Sequence, residues 1–338
     1  MKRTLYLHIG AHRTATTSIQ KFMFQNFEQL LRVGIFYPFR IPRHARFINE
    51  IFSRKHSARS ATKALNERIG NWEHQLNRPV TTLVLSDEDI CRRTNLKRLA
   101  DFRKYFDVKV LYSVRRQDLW LESWYFQNIK WQWNKTLANC TFETFMEHRD
   151  EFHWINYDSY LRMVEAEFGR ENVLLTVFEK QQMPNGVIGT FADHIGLKDP
   201  ASFEQPTHEN YSLSAEMAEF LRHLPLHEVP EPERDILRRT FEQVDRNAFG
   251  NTRYQSERIM PLAQRESVLA DYAVENAAVA QRYFGRDALF MDPLPPADGP
   301  LANLNIPRDS NEVIEKFVVP LLKQLLANGT ISSANKKT

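Results

Sequence analysis

At 338 residues the chain is long enough for one large domain or two moderate ones, and its 42% hydrophobic and 12% aromatic content excludes global disorder. Lys and Arg total 45 against 42 Asp and Glu, a net charge of +3 that excludes wholesale nucleic-acid binding but allows a local basic pocket. The two cysteines, Cys91 and Cys140, exclude a disulfide framework or a cysteine-rich zinc site and fit a reducing, cytoplasmic compartment.

The apolar run Leu5-Tyr6-Leu7-His8-Ile9 predicts a short buried strand. It breaks at Gly10, passes Ala11-His12-Arg13-Thr14-Ala15, and reaches Thr16-Thr17-Ser18 at the start of a helical pattern. Strand, tight turn, cation, hydroxyls and helix N-terminus in that order suit an anionic group, because backbone N–H groups and the helix dipole converge there. Arg13 adds a guanidinium that binds two oxygens at once. The strict nucleotide-triphosphate loop, ending Gly-Lys-Ser/Thr, is absent. An ordinary helix start after a strand is the alternative reading of these residues alone.

Helical spacing runs through residues 18–31 and stops at Gly34, and residues 35–38 predict a second short strand. Residues 39–60 read as basic, irregular and mostly solvated, with Arg40, Arg43, His44, Arg46, Arg54, Lys55, His56 and Arg59. A helix over residues 61–76 precedes Val80-Thr81-Thr82-Leu83-Val84-Leu85, a near-continuous apolar run typical of a parallel strand buried on both faces. That strand ends in Ser86-Asp87-Glu88-Asp89, where ligands bind in open α/β sheets. Its carboxylates are candidates for a general base, or caps of the next helix.

After a helix over residues 96–105, residues 108–114 form the clearest strand pattern in the chain. It runs into Arg115-Arg116-Gln117-Asp118 and a helix carrying Trp120, Ser123 and Trp124. Arg115 leaves the strand tip and Ser123 lies on the following helix, a placement in which the two can share one phosphate. A surface arginine and a solvent-facing serine are the alternative.

Two segments together resemble a known family. HIGAHRTATTSIQ resembles the 5′-phosphosulfate loop of sulfotransferases, usually a Lys-Ser/Thr-Gly-Thr-Thr core, and VRRQDLWLESWY resembles their 3′-phosphate motif, an arginine followed eight residues later by serine. The similarity is greatest to bacterial carbohydrate-type enzymes with a Thr-Thr-Ser-Ile-Gln start, and it covers roughly residues 3–200. The resemblance implies an α/β fold of three layers, P-loop NTPase-like, with a central mainly parallel sheet flanked by helices and a helical C-terminal part. It also implies the co-substrate 3′-phosphoadenosine 5′-phosphosulfate (PAPS). Carried over, Arg13 takes the place of the loop lysine, with Thr14, Ala15, Thr16, Thr17 and Ser18 around the 5′-phosphosulfate. Arg115 and Ser123 take the 3′-phosphate. Two residues depart from the pattern: Arg13 replaces lysine, and Ala15 replaces glycine, which strains the loop if that residue needs a positive φ.

Farther on, helices over residues 142–148 and 157–168, a strand over 172–179 and a helix over 187–195 continue the same succession. Ser214 reads as a structural N-cap within the Asn210-Tyr211-Ser212-Leu213-Ser214 segment. A proline-bearing stretch with the basic segment 246–258, including Arg253, leads to a long amphipathic helix over residues 262–284. A proline-rich linker, 293–307, a helix over 311–326 containing Pro320, and a disordered tail from 332 complete the chain. The domain reading is a PAPS-binding core over 1–200, a helical portion over 201–292, and linker, terminal helix and tail over 293–338.

The expected reaction is in-line transfer of a sulfuryl group to a hydroxyl of a carbohydrate or related acceptor. Arg13 and the loop N–H groups stabilise the leaving group. In the resembled carbohydrate enzymes the base is commonly a glutamate, which points to Glu88, with Asp87 second and His12 third. No His-x-x-x-His or cysteine pair supplies metal-ligand spacing. No apolar run approaches the ~20 residues that span a membrane. A P-loop kinase or nucleotide hydrolase, and a non-catalytic nucleotide-binding protein of the same fold, are the competing readings.

Overall fold

The computed structural model describes residues 2–207, 212–249 and 258–331. The segment Glu209-Asn210-Tyr211, Arg253 and the tail from residue 332 lie outside the described residues. The chain forms two compact units that are interleaved in sequence. The first comprises Met1–Gln117, Glu151–His208 and Leu269–Pro293, and the second Asp118–Asp150, Glu209–Val268 and Leu294–Thr338.

The first unit holds a five-stranded sheet of β1 (Thr4–His8), β2 (Ile35–Phe36), β3 (Thr82–Ser86), β4 (Asp107–Val114) and β5 (Val173–Val177). The strands lie in the order β2-β3-β1-β4-β5 and every pairing is parallel, which gives the α/β fold class expected from the sequence. Leu5 sits between Leu83 and Val108, and Leu7 between Leu85 and Val110. All six are buried, as the near-continuous apolar runs require in a sheet covered on both faces.

Helices α1 (Thr16–Gln25) and α2 (Phe27–Arg32) connect β1 to β2, and α3 (Ala45–Phe52) and α4 (Ala58–Leu76) connect β2 to β3. The short α5 (Lys97–Ala100) precedes β4; α6 (Gln117–Trp131), α7 (Lys135–Ala138), α8 (Phe142–Glu147) and α9 (Tyr157–Phe168) lie between β4 and β5, and α10 (Gly186–Ile195) follows β5. The connection from β1 to β2 runs one way along the sheet, while those into β3, β4 and β5 run the other. Right-handed crossovers then place α1 and α2 on one face and α4, α5 and α9 on the opposite one. α1 packs on α10, and α5 on α9. The loops after β1 and β4 diverge from adjacent strand ends, which opens a crevice at the carboxyl edge of the sheet.

Two expectations change. The predicted helix over 18–31 starts earlier and is two helices meeting at Asn26, whose side chain donates to Phe22 O at 2.9 Å and to Glu204 O at 2.8 Å. The basic run 39–60 is not irregular throughout but holds α3 and the start of α4: Phe47, Ile48 and Ile51 bury one face of α3, and Ser57 and Ser60 form a capping box that starts α4.

In the second unit lie α7, α8, α11 (Ala215–Arg222), α12 (Glu231–Phe249), and, beyond α13 (Leu262–Phe284), α14 (Ser310–Val313) and α15 (Val319–Ala327). The chain passes between units within α6 and within α13. Ser214 caps α11, accepting from Met217 N–H at 3.1 Å, as expected. Between α14 and α15, residues Ile314–Val318 form a π-turn just before Pro320, which accommodates a residue with no N–H inside a continuous helical path. Arg265 is fully buried between Asp118 (2.8 Å) and Glu122 (2.5 Å). Among the described residues no helix is long and apolar enough to cross a membrane.

Candidate active site

The loop after β1 is built on left-handed backbone. Gly10, Arg13 and Ala15 have φ of 59°, 67° and 60°. A Cβ at Gly10 would stand 2.7 Å from Thr16 Cγ2 and 3.2 Å from Glu88 Cβ, so only glycine fits between the helix start and the β3 tip. Ala15, the residue just before α1, takes the αL conformation that strains a residue with a Cβ, at a cost of roughly 1–2 kcal/mol. The buried Thr14 hydroxyl donates to Ala11 O at 2.7 Å and closes the turn. No side chain caps α1 and no acidic residue lies in its first turn, so its dipole faces the loop uncompensated. Thr16 is buried, Ser18 half-buried and Thr17 exposed.

Arg115 leaves the end of β4, the neighbour of β1, and its guanidinium donates to Arg13 O at 2.9 Å. Its backbone is clamped by Tyr157, whose hydroxyl accepts from Arg115 N–H (3.0 Å) and donates to Arg115 C=O (2.5 Å). Burial, and then the neighbouring Arg115 cation, lower Arg13 to about 10, which leaves it charged at neutral pH. Two guanidinium groups that repel one another at the mouth of the crevice make a field suited to an anion. Ser123 is half-buried on α6, in the part of that helix belonging to the second unit, whereas Arg115 belongs to the first.

The carboxylates after β3 share one arginine. Arg43, from the run expected to be solvated, places Nε 2.7 Å from Asp87 Oδ1 and 3.5 Å from Glu88 Oε2, and its guanidinium also pairs with Asp89. Asp87 is fully buried and accepts from Asp89 N–H at 3.3 Å; burial raises its pKa, with Arg43 opposing. Asp89 also meets His12 Nε2 at 3.1 Å. Burial alone would raise Asp89, but the His12 and Arg43 contacts outweigh it and hold the carboxyl well below the usual range. Glu88 is engaged through Oε2 only, accepting from Gln20 Nε2 at 2.6 Å. Its Oε1 has no protein partner among the described residues, and 12% of the side chain reaches solvent.

Thus the first unit gathers Arg13, the loop, Arg115 and Glu88 at the carboxyl edge of β1, β3 and β4. Asp87 is occupied by Arg43 and His12 by Asp89. Gln20, Arg43 and Tyr157 were not singled out from sequence. Gln20 lies one helical turn beyond Thr16 in the Thr-Thr-Ser-Ile-Gln segment, the one signal that pointed toward it. Of the tryptophans, Trp120 and Trp124 are buried and stack at 5.5 Å. Trp131 and Trp133 stack at 4.8 Å, with Trp133 53% exposed and Arg238 over Trp131 at 4.1 Å. Among the described residues no cluster of three His, Cys, Asp or Glu side chains is arranged to hold a metal ion.

No protein-family model matches the chain. An uncharacterized protein of Archaeoglobus fulgidus is 28% identical over 124 residues, which is 36% of this chain. The match spans 32% of that relative's length. A crystal structure of a sulfotransferase from Alicyclobacillus acidocaldarius aligns over 62% of this chain and 87% of its own, with 14% identity and a TM-score of 0.39.

Proposed function

We propose that the protein transfers a sulfuryl group from PAPS to a hydroxyl of a carbohydrate or related acceptor. The observation that carries this reading is the convergence of Arg13, Arg115 and a carboxylate with one uncommitted oxygen, Glu88 Oε1, around the β1 tip. A kinase or hydrolase reading is weakened by the same geometry, because Asp87, the residue available to hold a nucleotide-bound metal, is buried against Arg43.

In the proposed reaction the acceptor oxygen attacks sulfur as its proton passes to Glu88 Oε1. The new O–S bond forms while the bond from sulfur to the phosphate oxygen breaks, leaving the electron pair on adenosine 3′,5′-bisphosphate. Arg13 and the N–H groups at the open start of α1 stabilise that charge. Arg115 takes a phosphate oxygen, and Ser123 is proposed as its partner on the 3′-phosphate. Ala15, strained in the αL region, holds the loop in the shape a glycine would otherwise supply.

Titration calorimetry with adenosine 3′,5′-bisphosphate, ATP and GTP, followed by sulfate transfer across a glycan panel, tests the reading. Binding of the bisphosphate alone, with transfer lowered about 10²- to 10⁴-fold in Glu88→Gln at little change in bisphosphate affinity, is expected. Preference for ATP with Mg²⁺, or bisphosphate binding without any transfer, overturns it.

A further inference from the structure

Glu88 is held from behind by a line of buried side chains that the reaction itself does not require. Gln20 is 4% exposed, and its single amide nitrogen donates to Glu88 Oε2 at 2.6 Å and to Ser86 Oγ at 3.2 Å. Both N–H bonds are therefore in use, and neither can swing toward solvent without leaving a buried acceptor unsatisfied. Ser86, 1% exposed at the end of β3, meets His8 Nδ1 at 2.8 Å across the β1–β3 ladder, where His8 and Ser86 are register partners. The line thus joins a helix, α1, to the tips of two adjacent strands.

Its far end is incomplete. His8 is 2% exposed, and Nε2, on the opposite side of the ring from Ser86, has no hydrogen-bond partner among the described residues. Burial lowers His8 to about 4 despite Glu88, so the ring is neutral at physiological pH. In either neutral tautomer Nε2 is left one bond short. His8 also lines a cavity of about 20 Å³ beneath the loop, with Thr14, Ser113, Thr176, Thr190 and His194 among its other polar residues. That volume exceeds the roughly 10–15 Å³ of cavity space needed to admit one water, and a water both donates and accepts, so it satisfies either tautomer. An apolar occupant would leave Nε2 unpaired.

We propose that Gln20 is the positioning residue for Glu88, locked by the chain Glu88–Gln20–Ser86–His8, and that one buried water beneath the loop completes the chain at His8 Nε2. The arrangement fixes Oε2 and leaves Oε1 as the oxygen that faces the acceptor. This inference rests on Glu88 being the base, as proposed above, for its kinetic consequence but not for its geometry.

The kinetic test compares Gln20→Leu, Glu88→Gln and the double variant. A positioning role predicts that Gln20→Leu lowers kcat about 10- to 100-fold with acceptor KM and bisphosphate Kd within about threefold, the size of loss a misplaced group produces. It also predicts no further loss when Gln20→Leu is added to Glu88→Gln, since the group being positioned is already gone. An unchanged kcat, or losses that multiply in the double variant, overturns the assignment. A second measurement needs no activity: crystal structures of the wild-type protein and Gln20→Leu at high resolution. Expected are one water within hydrogen-bonding distance of His8 Nε2 in the wild type and a Glu88 carboxylate turned away from its wild-type position in the variant. A dry cavity overturns the water, and an unmoved Glu88 overturns the positioning role. If the wild-type protein transfers no sulfate, the reaction proposed above fails and the structures alone decide the chain.

Discussion

At the scale of single residues, charge placement governs both the site and its response to acid. His8 and His44 are buried, and burial lowers both to about 4 from 6.5, with Glu88 opposing at His8 and the Pro38 carbonyl at His44. Between those values the unfolded chain binds a proton at each ring that the folded chain refuses. Stability from this source is therefore complete above about 6.5 and falls as the pH drops toward 4. Going from pH 7 to pH 5 removes roughly 2 kcal/mol for each histidine. Asp87, raised by burial, works in the opposite sense, and only as its own carboxylate range is approached. Urea unfolding at pH 7, 6 and 5 checks the prediction: the unfolding free energy falls with pH in the wild type, and His44→Asn shows a shallower fall. A pH-independent free energy across that range contradicts it. The hazard of a positive φ at Ala15 was legible in the sequence, because the residue stands where the resembled loop carries glycine, and φ is indeed 60°. Arg43 was not legible. In a run of eight basic residues nothing local marks the one whose partners, Asp87, Glu88 and Asp89, come from a strand end more than forty residues away.

At the scale of elements, the strands were the most readable part of the chain and the helix boundaries the least. Strands β3 and β4 announce themselves as runs of Val and Leu because both faces are covered. The helix on residues 45–52 was obscured because its apolar positions, Phe47, Ile48 and Ile51, sit inside a run of basic side chains, whereas the helix expected over 61–76 is present and begins three residues earlier. The break at Asn26 was hidden for a different reason. Asn26 continues the helical hydrophobic period and is 2% exposed, and its stop signal is tertiary: its amide donates to Glu204 O, and its carbonyl oxygen accepts from Glu204 N–H at 2.9 Å. Replacing Asn26 with leucine keeps the size but removes two part-buried hydrogen bonds to the N–H and C=O of Glu204, itself an exposed residue. A loss of about 1–3 kcal/mol is expected from such unmade bonds. Chemical denaturation measures it, and an Asn26→Leu protein as stable as the wild type would show that the Glu204 backbone finds water instead.

At the scale of the whole molecule, the order β2-β3-β1-β4-β5 and the interleaving of two compact units depend on contacts between residues far apart in sequence, which periodicity does not report. The same holds for the polar center of the second unit. Asp118 and Glu122, four residues apart on α6, bracket the Arg265 guanidinium, and Glu122 Oε1 also accepts from Ile259 N–H (2.8 Å) and Met260 N–H (2.7 Å). Arg265 donates to Met260 O at 3.0 Å, so one buried cation ties α6 to the chain that enters α13. Removing the cation alone leaves two carboxylates buried without it. Arg265→Met is therefore expected to destabilise the second unit by about 3–5 kcal/mol, more than loss of side-chain packing explains. Neutralising the partners as well should restore much of that loss: Asp118→Asn and Glu122→Gln remove the unpaired charge, and Glu122→Gln keeps an acceptor oxygen for the backbone N–H groups of residues 259 and 260. Equilibrium unfolding of the single and triple variants separates the two contributions. A triple variant no more stable than Arg265→Met would show that the loss comes from packing and hydrogen bonds rather than from carboxylates left buried without the cation, the reverse of what full burial of Arg265 leads us to expect. Because Ser123 follows Glu122 on α6, the same pair of variants also reports whether this ion triad sets the position of the serine proposed to meet the 3′-phosphate. If it does, bisphosphate affinity falls in Arg265→Met and recovers in the triple variant along with stability.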